Sequence, residues 1–222
     1  MGTNQRFLTI ALWGLMVLGM LGLVGTGLWV SRRSQATPPS AMAIPDHQQQ
    51  GLPVLFDLPK FTLVDQNNKP FTDDQLRGHA WVGCFVFTHC AGPCPLMFMK
   101  MAEMQKDLGA SGVKQICFTV DPERDTPEVL KAKAASLGAD ESNWSFLTSD
   151  RPTIENLKRE MFQAKPGESD SPLMHDSKFY LFDATGHCRG RYSSNDEADL
   201  AKLKTDAATL AAEARGAGGK SS

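Results

Sequence analysis

The sequence has almost no excess of charge of either sign, because 23 Lys and Arg residues stand against 25 Asp and Glu residues. This near-neutral balance gives no indication of nucleic-acid binding, so we expect no nucleic-acid partner. The sequence also lacks an internal repeat. Its 41% hydrophobic and 22% charged residues are ordinary for one globular domain with additional segments.

Charge is absent altogether from the apolar run between Phe7 and Val30. As a helix rising about 1.5 Å per residue, this run would extend about 36 Å, enough to cross a hydrocarbon core of about 30 Å. A cleaved signal peptide is the alternative, but its apolar core is usually only about 7–15 residues. No cysteine follows the run closely, which leaves a lipoprotein anchor unsupported. We therefore predict an N-terminal membrane anchor over residues 1–33.

Composition divides the rest of the chain into three parts. Residues 34–51 hold three prolines and a polar run, which predicts a flexible linker. Residues 52–215 have the composition of a folded domain with ample length for a single core. The small polar residues of 216–222 predict a disordered tail.

Strand-like and helix-like segments alternate along the domain. The predicted strands are 61–65, 81–88, 113–120, 144–148, 178–183 and 189–192, and the predicted helices are 73–76, 95–108, 127–137, 151–162 and 196–214. This order predicts an α/β fold with a central mixed sheet flanked by helices. Within it, Asp125 is expected to cap a helix and to pair with Arg124.

Cysteine is scarce, and two of the five cysteines lie together in Cys90-Ala-Gly-Pro-Cys94, between an apolar strand and a helix that opens with Pro95. We expect the positive end of the helix dipole to favour thiolate over thiol at these positions. Thiolates exchange with disulfides and also bind soft metals. Thiols on a loop between a central strand and a helix N-terminus further suit a thioredoxin-like fold.

Three segments in this order resemble the Sco/SenC family. They are Cys90-Ala-Gly-Pro-Cys94-Pro95, then Asp121-Pro-Glu-Arg-Asp-Thr-Pro127, then His175 followed by Tyr180-Leu-Phe-Asp-Ala-Thr-Gly186. Members of this family are membrane-anchored, thioredoxin-fold copper proteins. The resemblance implies that copper, as Cu(I) or Cu(II), is bound by Cys90, Cys94 and His175. It also implies that Asp121 lies near the copper, where it would orient a ligand or screen charge.

The same resemblance implies a task in building the binuclear copper centre of cytochrome c oxidase, by delivering copper or by reducing its thiols. The expected partners are the copper-receiving oxidase subunit, a thiol reductant and the membrane. The domain would then face the periplasm, or the intermembrane space in an organelle. Metal transfer by ligand exchange needs no substrate turnover, so the resemblance predicts a metallochaperone rather than an enzyme.

A thiol–disulfide oxidoreductase is the alternative function, with Cys90 and Cys94 as its redox-active pair. A peroxidase-like function is a third possibility, but nothing in the sequence specifically supplies a peroxide site. His175 favours copper over both, because oxidoreductase chemistry has no need of this histidine. His89, directly before Cys90, is a candidate for tuning the thiolate or for binding copper itself.

The other sulfur-containing residues have simpler interpretations. Cys84 and Cys117 fall inside neighbouring predicted strands, which favours buried free thiols over a bridge between them. Cys188 lies on a hairpin turn, where exposure is expected. The methionines of the helix after Cys94 suggest a thioether relay, but their helical spacing favours core packing for all except Met99: Met97, Met101 and Met104.

Overall fold

The computed structural model describes residues 51–162 and 177–218. The strands are β1 (Phe56–Asp57), β2 (Thr62–Asp65), β3 (Pro70–Thr72), β4 (Trp81–Val86), β5 (Lys114–Thr119), β6 (Trp144–Thr148), β7 (Lys178–Phe182) and β8 (His187–Ser193). The helices are α1 (Cys94–Ala110), α2 (Pro127–Ser136), α3 (Arg151–Phe162) and α4 (Glu197–Gly218), with a 3₁₀ turn over Asp73–Leu76.

The strands of the described residues form one mixed sheet in the order β1-β8-β7-β4-β5-β6-β2-β3. At its centre β4, β5 and β6 run parallel, while the flanking strands pair antiparallel. All six residues of β4 are buried, as are five of the six in β5. Strands that are apolar throughout are typical of parallel sheets covered on both faces. The predicted α/β architecture with a mixed sheet is confirmed.

Helices cover the two faces of the sheet unequally. The face that carries Val82 and Cys84 of β4 packs against α1, α2 and α4 in one apolar cluster. The opposite face, which carries Trp81 and Phe85, packs against α3 in a second cluster rich in aromatic rings. There the rings of Trp81 and Phe182 stack with centroids 4.0 Å apart. Adjacent residues of one strand therefore serve two separate cores, as the alternation of side chains along a strand requires.

The methionines of α1 divide as their spacing predicts. Met97, Met101 and Met104 are buried in the cluster beneath the helix, whereas Met99 is 53% exposed. The core-packing interpretation is confirmed for the three buried methionines. These side chains fill the space between α1 and the sheet, where flexible thioethers adapt well to irregular gaps.

Two edge strands, β1 and β3, are absent from the sequence-based prediction. β1 pairs with β8 at one edge of the sheet, and β3 pairs with β2 at the other. With two and three residues they are too short to show an alternating pattern. β3 also begins with Pro70, a residue that sheets tolerate at their edges because it lacks an N–H group.

The predicted anchor and linker lie outside the described residues. Across residues 51–162 and 177–218, no helix combines the length and the hydropathy needed to cross a membrane.

At the other end of the chain, α4 continues to Gly218 rather than ending near Ala214. The first residues of the predicted tail are therefore helical.

Gly83 should be intolerant of even a methyl group. A Cβ at this position would lie 2.7 Å from Cζ3 of Trp81, whose ring is held by its stacking on Phe182. We expect Gly83→Ala to lower the free energy of unfolding by about 1–3 kcal/mol, as overpacking of a rigid core does. Urea denaturation measures the change.

Gly109→Ala is the matched control, because Gly109 lies inside α1 and a Cβ there would meet only Asn143 at 3.7 Å. This variant should gain up to about 1 kcal/mol from the higher helix propensity of alanine. Equal stabilities for the two variants would contradict the packing described for β4.

Candidate metal centre

The paired cysteines lie where the loop after β4 enters α1. The Gly92 N–H donates to Cys90 Sγ at 3.3 Å, and α1 begins at Cys94 with a proline in its first turn. Cys90 is 8% exposed and Cys94 is 2% exposed. Both are free thiols. The pair thus lies just beneath the surface, with Cys90 as its more accessible member.

Burial governs the chemistry of Cys94. Loss of solvation raises the pKa of its thiol to about 12, and a hydrogen bond with the Cys90 side chain acts in the same direction. A hydrogen bond to the Phe87 backbone opposes this shift but does not overcome it. The prediction that the helix N-terminus favours thiolate is therefore wrong for Cys94. Its sulfur is held as a protonated thiol next to that of Cys90.

The arrangement brings together two of the three predicted metal ligands. Cys90 in the loop and Cys94 at the start of α1 interact through their side chains, whereas His175 falls outside the described residues. Within the described ranges, no group of three or more His, Cys, Asp and Glu side chains is placed to hold a metal ion. Chemically, two adjacent sulfurs suit a soft cation such as Cu(I) or the formation of a disulfide.

Asp121 lies at the sheet edge where the cysteine loop begins. The Val120 N–H donates to the Val86 carbonyl at 2.9 Å, which places the ends of β4 and β5 side by side. The Asp121 carboxylate pairs with Arg124 across 3.4 Å and is one-fifth exposed. The carboxyl ends of parallel strands are where sites gather in α/β sheets. Asp121 therefore lies at the edge of the sheet from which the cysteine loop starts. Its action on a metal ligand stays a prediction.

Asp125, for which the sequence predicted other roles, fixes the start of the cysteine loop. Asp125 is fully buried and accepts hydrogen bonds from the Thr88 N–H at 3.1 Å, from the Thr88 hydroxyl, and from the Thr119 hydroxyl at 2.6 Å. It therefore joins Thr88, which follows shortly after β4, to Thr119, the last residue of β5. This carboxylate positions the backbone that leads to Cys90.

The two roles predicted for Asp125 are wrong. Arg124 pairs with Asp121 instead, and the cap of α2 is Thr126, whose hydroxyl accepts from the Val129 N–H at 3.5 Å. The sequence did contain a signal. Thr126 followed by Pro127 already supplies a cap and a first-turn residue, which leaves the preceding aspartate free for another task.

Residues 56–209 match the family model SCO1/SenC. The chain belongs to the SCO1/SenC family. The SCO1 protein homolog of Bacillus subtilis is 36% identical over 144 residues, which cover 63% of this chain and 75% of that protein. The predicted family membership is confirmed.

Solved structures agree with this assignment. BsSco, a member of the Sco family of cytochrome c oxidase assembly proteins with an identified disulfide switch, matches with a TM-score of 0.64 and 33% identity, covering 74% of this chain and 99% of that one. Copper-bound ScoI of Bradyrhizobium japonicum matches with a TM-score of 0.55 and 28% identity, covering 68% of this chain and 99% of that one. The fold is therefore the thioredoxin-like Sco fold.

The remaining cysteines of this Sco domain are all buried free thiols. The sulfurs of Cys84 and Cys117 lie 3.5 Å apart, which confirms the preference for thiols over a bridge. The expected exposure of Cys188 is wrong, because this residue is fully buried and its thiol donates to the Gly190 carbonyl at 3.6 Å. The hairpin turn ends before β8 begins at His187, so Cys188 is a strand residue that faces the core.

His89 remains at the surface of the Sco domain. Its Nδ1 lies 3.0 Å from the Thr88 hydroxyl. Since that hydroxyl donates its proton to Asp125, the ring nitrogen is the donor to the Thr88 oxygen. The neutral imidazole then has Nε2 unprotonated. A ring in this tautomer is oriented through Thr88 by the same carboxylate that positions the cysteine loop.

Removing the Asp125 carboxylate should destabilise the domain and loosen the loop. Asp125→Ala leaves the donors of Thr88 and Thr119 without an acceptor, and each buried unsatisfied group costs about 1–3 kcal/mol. We expect the free energy of unfolding to fall by about 3 kcal/mol in urea denaturation, with faster alkylation of Cys90. Asp121→Ala is the control, because its partly exposed pair with Arg124 is worth less than about 1 kcal/mol. Similar losses in both variants would argue against the positioning role.

The raised pKa of Cys94 should be visible in its alkylation by iodoacetamide. Because only thiolate reacts, the rate should still rise about tenfold per unit between about pH 8 and about pH 10. A small reference thiol levels off over that range as it becomes fully ionised. Peptide mass spectrometry of reduced, acid-quenched protein measures the rate at Cys94. A plateau near pH 9 would contradict a thiol kept protonated by burial.

Proposed function

We propose that this chain is a membrane-anchored copper chaperone for the assembly of cytochrome c oxidase, which carries copper on Cys90 and Cys94. The observation that carries the proposal is the pair of buried free thiols after β4, with Cys90 in the loop and Cys94 at the start of α1, whose side chains interact. Membership of the SCO1/SenC family and the likeness to copper-bound ScoI support copper as the cargo. In this proposal His175 supplies a third ligand.

The donor set fits the chemistry of the cargo. Thiolates are soft ligands that suit Cu(I), and an added imidazole also tolerates Cu(II). Copper binds sulfur as thiolate, and the proton of Cys94 is held firmly because of its high pKa. Copper affinity should therefore rise with pH, and acidification should favour release. Asp121, at the same edge of the sheet, would orient a ligand or screen charge.

Unequal exposure of the two sulfurs suggests how copper leaves. Cys90 is the more accessible of the pair, so a thiolate of the receiving oxidase subunit would approach the metal from the Cys90 side. Transfer then proceeds by ligand exchange, with Cys94 as the last protein sulfur to be displaced. Return of a proton to Cys94 assists that last step, because its neutral thiol is strongly favoured by burial.

We further propose that residues 1–33 anchor the domain and that residues 34–51 tether it. The uncharged run from Phe7 to Val30 supports the anchor. Delivery to an exported copper centre would require the domain to face the periplasm, or the intermembrane space of an organelle. In such an oxidising compartment a dithiol needs a thiol reductant, which we expect as a second partner.

A thiol–disulfide oxidoreductase is the second candidate function. The same sulfur pair supports it, as does the disulfide switch identified in the related BsSco. In that function Cys90, the more accessible of the two, would attack a disulfide of the oxidase subunit, and Cys94 would resolve the mixed disulfide. The two functions need not exclude each other, because copper binding requires the reduced pair.

Copper titration of the purified full chain with its thiols reduced tests the proposal. We expect about one equivalent of Cu(I) bound against a competing chelator, with binding abolished in Cys90→Ser/Cys94→Ser. His175→Ala should weaken binding by about 10- to 100-fold, in the range found for perturbed metal sites. Cys188→Ser, which removes a buried thiol from the other face of the sheet, is the control and should bind normally.

The titration also separates the two candidate functions. Copper affinity in the wild type should increase with pH, because the Cys94 thiol must lose its proton to bind. Absence of copper binding at every pH, together with reduction of insulin or a peptide disulfide, would replace the chaperone by an oxidoreductase.

A further inference from the structure

A short strap at the start of the folded domain covers one edge of the sheet. We define the strap as residues 52–58, which contain β1 and follow directly on the predicted linker. Its Leu55 and Leu58 N–H groups donate to the Cys188 and Gly186 carbonyls, each at 2.8 Å. These two acceptors lie at the beginning of β8 and in the turn before it. The strap therefore supplies the hydrogen bonds that the outer edge of β8 would otherwise lack.

Arg189 fastens the beginning of the strap to the body of the domain. Its guanidinium donates to the Leu52 carbonyl from Nε at 2.8 Å and also from Nη2, and its Nη1 donates to Asp183 at 2.7 Å. The register between β7 and β8 shifts at Arg189, which has no partner on β7. A bulge of this kind turns a side chain in a new direction. Here it directs one arginine to both the strap and a carboxylate, and we call this arrangement the latch.

The carboxylate of the latch is itself firmly held. Asp183 accepts hydrogen bonds from the Thr185 N–H at 2.9 Å, the Thr185 hydroxyl at 2.6 Å and the His187 N–H at 3.0 Å. Burial alone would raise the pKa of Asp183, but these hydrogen bonds and the one from Arg189 outweigh it and lower the pKa to about 2. Asp183 is therefore charged at neutral pH, and its bond to Arg189 belongs to the strong, charge-assisted class.

Apart from the latch, the strap is lightly attached. Phe56 is its only buried side chain, and the Phe56 ring makes edge contacts with Tyr180 and Phe182. Val54 and Leu55 are 57% and 42% exposed. Segments with few buried apolar contacts open at a lower free energy than the core on which they lie. The strap can therefore open without the rest of the domain.

The closed strap hides a thiol. Phe56 and Cys188 are direct partners in the register of β1 with β8, so their side chains lie next to each other on one face of the sheet. Cys188 is fully buried, and burial raises the pKa of its thiol to about 11. Opening of the strap removes Phe56 and gives a reagent access to this sulfur. Cys117, on the central strand β5, is uncovered only when the core itself opens.

We propose that the strap opens and closes as a unit on an otherwise folded domain, with Arg189 as its latch. The closed strap seals Cys188 and the outer edge of β8, and the open strap releases both. A free strand edge can pair with another chain, and an accessible thiol can react with oxidants or soft metals. The strap thus controls a second reactive region, separate from Cys90 and Cys94. Because the opening involves no copper, the proposal fails or holds independently of the proposed function.

Alkylation of the native, metal-free full chain by N-ethylmaleimide measures the opening. Trypsin leaves Cys188 in the peptide 179–189 and Cys117 alone in the peptide 115–124, so mass spectrometry follows the two thiols separately. At low reagent concentration, the rate at each thiol reports the population of the form that exposes it. We expect Cys188 to react at least about tenfold faster than Cys117. Low concentrations of urea should accelerate Cys117 more steeply, because opening of the core exposes more surface.

Two variants loosen the strap from different sides. Arg189→Ala should raise the rate at Cys188, then in the peptide 179–191, by about 10- to 100-fold, because hydrogen bonds of a charged group are lost. The rate at Cys117 should change by less than about threefold, since this residue is remote from the latch. Leu55→Pro removes the N–H that donates to Cys188 and leaves the latch in place. It should raise the rate at Cys188 by about 3- to 10-fold.

Arg215→Ala is the matched control. Arg215 also donates to a backbone carbonyl, that of Ser111 at 2.7 Å, but it lies on α4. This variant should leave the rate at Cys188 unchanged. The proposal is overturned if Cys188 and Cys117 react at the same rate in the wild type and respond equally to urea. It is also overturned if Arg189→Ala and Leu55→Pro leave the rate at Cys188 unchanged, or accelerate both thiols to the same extent.

Discussion

The parallel pairing of β4 with β5 determines where the functional side chains of this domain lie. Its register sets Cys84 against Cys117 and brings the ends of the two strands together. At that end Asp125 ties Thr88 to Thr119, and the chain then turns through Cys90 into α1. Helices on both sides keep these strands away from water, so the backbone has little freedom to change register. The position of each sulfur follows from this pairing.

Burial affects the thiols in two ways. It keeps Cys94 protonated, which weakens its power as a nucleophile and as a ligand at neutral pH. It also shields the sulfur from reagents in solution. A soft cation such as Cu(I) binds thiolate strongly enough to displace the proton of Cys94, whereas a cation that binds sulfur weakly does not. The same desolvation that appears unfavourable for thiol chemistry therefore makes the pair selective for partners that bind thiolate strongly.

The sequence predicted the parts of this fold whose patterns are long or chemically distinctive. Continuous apolar runs identified β4 and β5, and the paired cysteines identified the loop between strand and helix. The edge strands β1 and β3 escaped because two or three residues contain no period. Asp125 was misassigned because its partner Thr88 is 37 residues away in the sequence and comes close only when β4 pairs with β5. Cys188 was misplaced because one residue decides whether a side chain belongs to a turn or to a buried strand.

The indole N–H of Trp144 donates to the Cys117 sulfur at 3.3 Å, and its ring is fully buried against Phe146. An indole in contact with a sulfur atom loses part of its fluorescence to quenching, and the loss depends on whether that sulfur is a thiol or a disulfide. Because Trp144 is sealed from water, solvent contributes nothing to such a change. Trp144 is therefore placed to report on any change at the Cys117 thiol, with no label to be introduced.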